Sequence, residues 1–236
     1  MSDLRVMAVR GVGEISDGDD LVALLLDALD AQGIALEHHD LIAVTSKVVA
    51  KAEGRVVSFD GSDTAKVALV EREATRVLRR RGSLRITETP HGFINANAGV
   101  DLSNARDGTA VLLPKDPDRS ARRFRADVRR RREVDVAVVI TDTFGRPWRQ
   151  GVTDVAIGSA GLRPILDLRG SRDANGRQLD ATEVAIVDEV AGAANLVLFK
   201  AAGTPFAVLR GLDDSYFGEG SVGDTIVRPS NDDLFR

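Results

Sequence analysis

The sequence predicts a mixed α+β fold and not a doubly wound parallel sheet. Compact apolar runs at Leu41 to Val44 and Val134 to Thr141 have the length and β-branched content of buried strands, while Asp63 to Arg81 and Ser120 to Arg132 carry helical spacing. These runs do not alternate strand with helix in a regular order, as a Rossmann-type sheet requires. The glycine loop Arg10-Gly11-Val12-Gly13 also lacks both the Walker and the dinucleotide fingerprints.

Taken in order, Leu4 to Val9 reads as a short strand. Asp17-Gly18-Asp19-Asp20 then supplies turn and cap chemistry for a helix with Leu21, Leu24, Leu25 and Leu29 on its apolar side. Val67, Val70, Ala74, Val77 and Leu78 line one side of a helix predicted from Asp63 to Arg81, followed by a strand at Leu84 to Thr87. Gly92 to Asn104, rich in Gly, Asn and Ala, fits strands broken by turns, and Gly145 to Ala160 is expected to be irregular or short-stranded. Thr182 to Leu196 has helical spacing, Phe206 to Leu209 makes a last strand, and the polar, glycine-rich tail from Gly211 reads as an extended arm or a partly mobile one.

Composition excludes several function classes. With 236 residues and 43% apolar content the chain can bury a sizeable core, and a net charge of −4 argues against a nucleic-acid surface. The absence of cysteine rules out disulfides, thiolate metal sites and cysteine nucleophiles. Any metal must use oxygen or imidazole; with three histidines, oxygen ligands and hence Mg²⁺ or Mn²⁺ are expected. The first residues lack the apolar stretch of a signal peptide and no segment reaches membrane-span length, so a cytoplasmic protein with no membrane partner is expected.

Three polar clusters sit beside buried strands. In Thr45-Ser46-Lys47, continuing to Lys51 and Arg55, hydroxyls and cations at a strand end suit phosphate oxygens, or a strand leaving into a solvated helix. In Asn95 to Asn104, Asp101 among amides and small residues suits a hydrated cation or an Asx-turn. In Val138 to Arg146, Asp142 at the mouth of an apolar strand suits a metal bound to phosphates, or an ion pair with Arg146 or Arg149. Two such aspartates could share divalent ions about 3.5–4 Å apart, which is phosphate chemistry without a named substrate. Arg79 to Arg81 and Arg129 to Arg132 read as solvated ends of helices, His38 and His39 as surface, and Trp148 as packing against the third cluster.

At these clusters the sequence resembles the coenzyme F420-0:L-glutamate ligase family. The likeness runs through Gly18-Asp19-Asp20-Leu21, Thr45 to Val49, Lys51 to Arg55, Ala98 to Asp101 with Ser103-Asn104, Ile140 to Thr143, Gly145-Arg146, Thr153-Asp154 and Ala156 to Gly158. It continues at Arg172-Asp173, Gly176-Arg177, Asp188-Glu189 and Arg210-Gly211, covering nearly the whole chain in order.

The resemblance implies a two-domain α+β fold peculiar to the family, two subdomains packed within residues 1–236, and a homodimer. It implies GTP, Mg²⁺ or Mn²⁺, a monovalent cation such as K⁺, and F420-0 and L-glutamate as substrates. By position, Asp101, Asp142 and Thr143 match metal ligands. Arg10, Gly11, Val12, Gly13, Thr45, Ser46, Lys51 and Asn104 match nucleotide contacts. Lys51 and Arg146 are the candidates for stabilising charge during the reaction. Two positions depart from relatives: Gly13 where proline is frequent, and Lys200 where archaeal-type members carry an acidic ligand. No C-terminal nitroreductase-like domain is expected. The residues alone also admit a ligase with another acceptor, a metal-dependent phosphohydrolase or a non-catalytic nucleotide binder.

Overall fold

A computed structural model describes residues 3–103, 108–198 and 203–234. Strand β1 (Arg5–Val9) leads to helix α1 (Leu21–Ala31), then β2 (Leu41–Thr45), α2 (Ser46–Ala52), β3 (Val56–Ser58) and α3 (Asp63–Glu73). Next come β4 (Arg76–Arg81), β5 (Leu84–Glu88), β6 (Ile94–Ala96), a 3₁₀ turn at Asn97–Gly99 and β7 (Thr109–Val111). Helix α4 (Pro117–Arg132), β8 (Ala137–Gly145), β9 (Val152–Ala160), β10 (Leu166–Asp167), β11 (Glu183–Val184) and α5 (Ile186–Asn195) follow. Strand β12 (Phe206–Arg210) and α6 (Val222–Thr225) complete the regular elements.

The main sheet has the order β1-β12-β2-β8-β9, and only β2 and β8 run parallel in it. The α+β expectation therefore holds. A three-stranded antiparallel sheet β4-β5-β6 and the pairs β3-β7 and β10-β11 surround it. No helix among the described residues is long and apolar enough to cross a membrane.

Local chemistry explains the helices that frame the sheet. Asp20 caps α1 by accepting from the Ala23 amide at 2.9 Å, and Val22, Leu25, Leu26 and Leu29 bury one side. Asp116 caps α4 with Pro117 at the first helical position. The stripe Ala121, Phe124 and Val128 faces the core, while Arg129 to Arg132 occupy the last turn, where cations oppose the helix dipole. The main core gathers Leu25, Ile42, Val139, Ile140, Phe206 and Leu209; a satellite cluster of Phe59, Leu69, Ala110 and Leu112 draws on α3 and on β7 and the residues that adjoin the β3-β7 pair.

Five expectations are corrected. The helix predicted to Arg81 ends at Glu73: Ala74 turns extended and the Thr75 amide bonds the Glu88 carbonyl at 2.7 Å, starting β4. The hairpin signal is Gly82-Ser83, which joins paired Arg81 and Leu84 with Gly82 at φ +56°. Arg79 to Arg81 are thus exposed on a strand, not at a helix end.

Gly145 to Ala160 is not irregular, because Val152 to Ala160 forms a nine-residue strand. Its Gly158 serves close packing, since a Cβ there would lie 2.4 Å from the Pro117 carbonyl carbon. The tail is not a free arm. Val222 is fully buried, and the Asp118 carboxylate accepts from the amides of Ser159, Val222 and Gly223 at 2.8–2.9 Å, tying α4, β9 and the tail together. Trp148 is 90% exposed at φ +63° and packs against nothing in the third cluster.

Candidate functional site

The parallel register of β2 and β8 sets Thr45 beside Thr141, so the C-terminal ends of both strands deliver their polar residues to one place. Helix α2 begins at once with Ser46, whose hydroxyl donates to Asp142 Oδ1 at 2.8 Å. Asp142 and Thr143 lie within β8 and not at its mouth, because the strand runs on to Gly145 and pairs them with Val155 and Asp154. A register shift opposite Ile140 and Thr141 leaves Ile157 as an extra residue on β9. Such a bulge re-aims the side chains that follow it. Asp154 is 5% exposed, and its two oxygens accept from the Thr143 and Thr141 hydroxyls at 2.7 and 3.1 Å.

The opposite wall rests on a left-handed turn. Asn97 and Ala98 both have φ +53° and Gly99 has φ +69°, a conformation that L-residues adopt only when held. Thr87 Oγ1 accepts from the Ala98 amide at 2.8 Å and Asn97 Oδ1 from the Arg85 amide at 3.0 Å, which holds it. Asp101 follows, anchored by two backbone bonds with Val111. The Asx-turn reading is realised, as Oδ1 accepts from the Ser103 amide at 2.8 Å; Oδ2 faces the Lys47 ammonium at 3.3 Å. Burial pushes the Asp101 carboxyl upward, but the Ser103 amide and hydroxyl together with Lys47 outweigh it, so it ends below the ordinary aspartate range.

Helix α2 spans the gap with Lys47 and Lys51, four residues apart on one side. Lys51 is nearly enclosed, with a side chain 12% exposed, and pairs with Glu14 of the N-terminal loop. That hydrogen bond and the ammonium charge hold the Glu14 carboxyl below its ordinary value. Together these walls enclose a cleft of about 640 Å³, within the range of small-molecule sites (about 300–1,000 Å³).

Of the residues singled out in the sequence, Val12, Gly13, Thr45, Ser46, Lys51, Asp101, Asp142 and Thr143 line this cleft. Arg10, Gly11 and Arg146 do not; Arg146 is exposed and donates to the Gln150 carbonyl at 3.4 Å. Asn104 and Lys200 fall outside the described residues. Lys47, one of the cations allotted to phosphate oxygens, lines the cleft too, as do Glu14 and Asp154, to which the sequence assigned no role. Thr153-Asp154 was a visible motif, whereas nothing around Glu14 marks it.

The donor set suits hard cations. Asp101, Asp142, Asp154, Ser46, Thr141 and Thr143 offer only oxygen, and His38, His39 and His91 do not line the cleft. Among the described residues no group of three or more Asp, Glu or His side chains is placed to hold a metal by itself. That pattern fits Mg²⁺ or Mn²⁺, which take one or two carboxylates and complete their shell with phosphate oxygens and water.

A smaller hollow of about 250 Å³ lies behind β9, lined by Phe93, Ile94, Phe144, Val155, Asp188 and Val227. Burial pushes the Asp188 carboxyl up, against the hydrogen bond it accepts from the Ala156 amide at 2.9 Å, and neighbouring Glu189 adds to the rise.

Comparison with known proteins gives the chain its family. A family model described as F420-0:Gamma-glutamyl ligase matches residues 11–211. The coenzyme F420:L-glutamate ligase of Methanopyrus kandleri is 41% identical over 251 aligned positions, covering 99% of this chain and 98% of that protein. Its namesake from Methanothermobacter thermautotrophicus is 36% identical with 99% of both chains covered. That of Methanocaldococcus jannaschii is 37% identical, with 85% of this chain and 86% of that protein covered. With residues 11–211 matched and relatives 36–41% identical over nearly the whole of both chains, the chain belongs to the F420-0:gamma-glutamyl ligase family.

Proposed function

We propose that this chain is a GTP- and divalent-metal-dependent ligase that joins the amine of L-glutamate to a carboxylate of F420-0, and adds further γ-linked glutamates in turn. The observation that carries the reading is the convergence of Thr45, Ser46, Lys51, Asp101, Asp142 and Thr143 on one cleft in a chain of this family. The same reading has two packed subdomains, one on the five-stranded sheet and one on the small sheets. It also has a cytoplasmic homodimer and a monovalent cation such as K⁺.

A carboxylate is a poor electrophile for an amine and must first be activated. An F420-0 carboxylate oxygen bonds to the γ-phosphorus of GTP while the bond to the β-phosphate oxygen breaks, releasing GDP and leaving an acyl phosphate. The glutamate nitrogen then bonds to the acyl carbon and loses a proton, and inorganic phosphate departs. Positioning and charge neutralisation supply most of the rate in such transfers.

Thr45, Ser46 and Lys51 are assigned to the phosphates, with Lys51 opposing the charge that develops. Arg146, outside the cleft, takes no part in this assignment. Asp142, Thr143 and Asp101 would hold Mg²⁺ or Mn²⁺, which supplies positive charge to the phosphate oxygens. Asp154 orients Thr143 through its 2.7 Å bond.

The test is a ligation assay with F420-0, L-glutamate, GTP and Mn²⁺ or Mg²⁺, read by mass spectrometry. Products heavier by successive glutamyl residues, formed only with GTP and metal, are expected. GTP hydrolysis without ligation would point to another acceptor or a phosphohydrolase. Folded protein that binds GTP and does neither overturns the catalytic reading.

A further inference from the structure

Lys47 joins the two walls of the cleft. Its ammonium donates to Ser103 Oγ at 2.6 Å and stands 3.3 Å from Asp101 Oδ2, while its backbone belongs to α2 on the far side. Asp101 Oδ1 already accepts from the Ser103 amide at 2.8 Å, so Oδ2 is the oxygen that points to a cation, and Lys47 faces that oxygen. A divalent ion on Oδ2 and an ammonium beside it repel each other, so one must yield. The Lys47 side chain is 35% exposed on a flexible stem, so solvent and rotamer freedom allow it to swing aside when a stronger partner draws it.

From this we infer that Lys47 is a built-in counter-cation for Asp101, one that competes with the divalent metal for Oδ2 and links metal binding to nucleotide binding. The inference rests on the metal-and-GTP reading above. Lys47 neutralises Asp101 before a metal arrives, which lowers the metal affinity of this wall. Phosphate oxygens in the cleft offer the displaced ammonium a new charge-assisted partner, so nucleotide favours metal entry at Asp101. Lys47 acts here as a positioning residue, through Asp101.

The experiment is Mn²⁺ titration of the full chain, with free Mn²⁺ read by electron paramagnetic resonance, with and without GDP. Without nucleotide, Lys47→Gln is expected to bind Mn²⁺ roughly two- to fivefold tighter than the parent, the scale of one partly exposed ion pair. The enhancement of Mn²⁺ binding by GDP should shrink in the same variant. Lys47→Arg, which keeps the charge, should stay near the parent, and in an Asp101→Asn background Lys47→Gln should change nothing. Mn²⁺ binding in folded Lys47→Gln no tighter than in the parent overturns the inference and leaves the metal reading standing. If neither protein binds Mn²⁺ even with GDP, the metal reading falls and this inference falls with it.

Discussion

The two walls of the cleft hold their carboxylates in opposite ways. On the sheet wall, Asp154 is satisfied by two threonine hydroxyls, and on α5, outside the cleft and behind the same strand, Asp188 accepts from a backbone amide. Asp154 rides on β9 and the two threonines on β8, over the main core. On the other wall, Asp101 meets a lysine ammonium and sits after three residues at positive φ, over a satellite cluster of four buried residues. Neutral donors on a deep scaffold fix a carboxylate in place but leave its charge uncompensated. A cation on a shallow turn compensates the charge and leaves the position adjustable. The sheet wall therefore fixes the position of its carboxylate, and the turn wall compensates the charge of its own.

The largest expected effect comes from Asp142→Asn, which keeps the shape of the sheet wall and the Ser46 contact but removes the charge. Ligation should fall by about 10²–10³-fold, the scale of removing one stabilising group at a reacting centre. The melting temperature should barely move. Turnover near that of the parent, from a well-folded variant, would remove Asp142 from the metal site. Asp101→Asn should also lose activity, and the comparison sharpens if its loss is partly recovered at high Mn²⁺ while that of Asp142→Asn is not.

Next in size is Gly158→Ala, which breaks the scaffold and leaves the chemistry in place. The added Cβ would sit 2.4–2.7 Å from the backbone of Pro117 and Asp118, so the start of α4 must lift from β9. Overpacking of this kind costs about 1–3 kcal/mol, with each kcal/mol lowering the melting temperature by about 2–4 °C in a chain of this size. Urea unfolding checks it. An unchanged midpoint would mean that α4 is not seated on Gly158.

Much of this division was legible in the sequence, and the failures share a cause. Strand β2, strand β8 and helix α4 were readable because burial on both faces, or on one helical stripe, writes a periodic pattern. Strand β9 was not, because its Gly158 and small neighbours signal flexibility locally while serving the close approach of α4. Arg76 to Arg81 looked helical because Val77 and Leu78 continued the spacing of α3, and only Gly82-Ser83 betrayed the hairpin. Asp101, Asp142, Ser46 and Lys51 were named from motifs. Glu14 lies on a loop without pattern, and its meeting with Lys51 is a product of tertiary structure alone. The tail misled for the same reason, because its anchor is Asp118, about a hundred residues earlier in the chain.

Gly99→Ala probes the turn wall and should have a smaller, more local effect. At φ +69° an alanine is strained by about 1–2 kcal/mol, and its Cβ would lie 2.7–2.9 Å from the buried Leu113 side chain, which must shift to admit it. Hydrogen exchange should quicken over residues 94–103 and 109–113 while the amides of β8 and β9 keep their protection. Loss of protection across both walls would show that the satellite cluster and the main core open as one unit, and the contrast between the walls would then be one of chemistry only.

The smallest effect tests whether neutral donors leave a charge uncompensated. Burial raises the Asp188 carboxyl above its unfolded value of about 3.9. A group raised in this way contributes its stability below the unfolded value and loses it as pH rises through the folded one. At neutral pH the ionised Asp188 is therefore a net cost to the fold. Asparagine can still accept from the Ala156 amide without carrying that charge. Asp188→Asn should be the more stable protein in urea at pH 7, with the advantage shrinking as the pH approaches 4. The reverse ordering at pH 7 would mean that the Asp188 charge is compensated after all, and the sheet wall would then resemble the turn wall in holding a carboxylate by a cation.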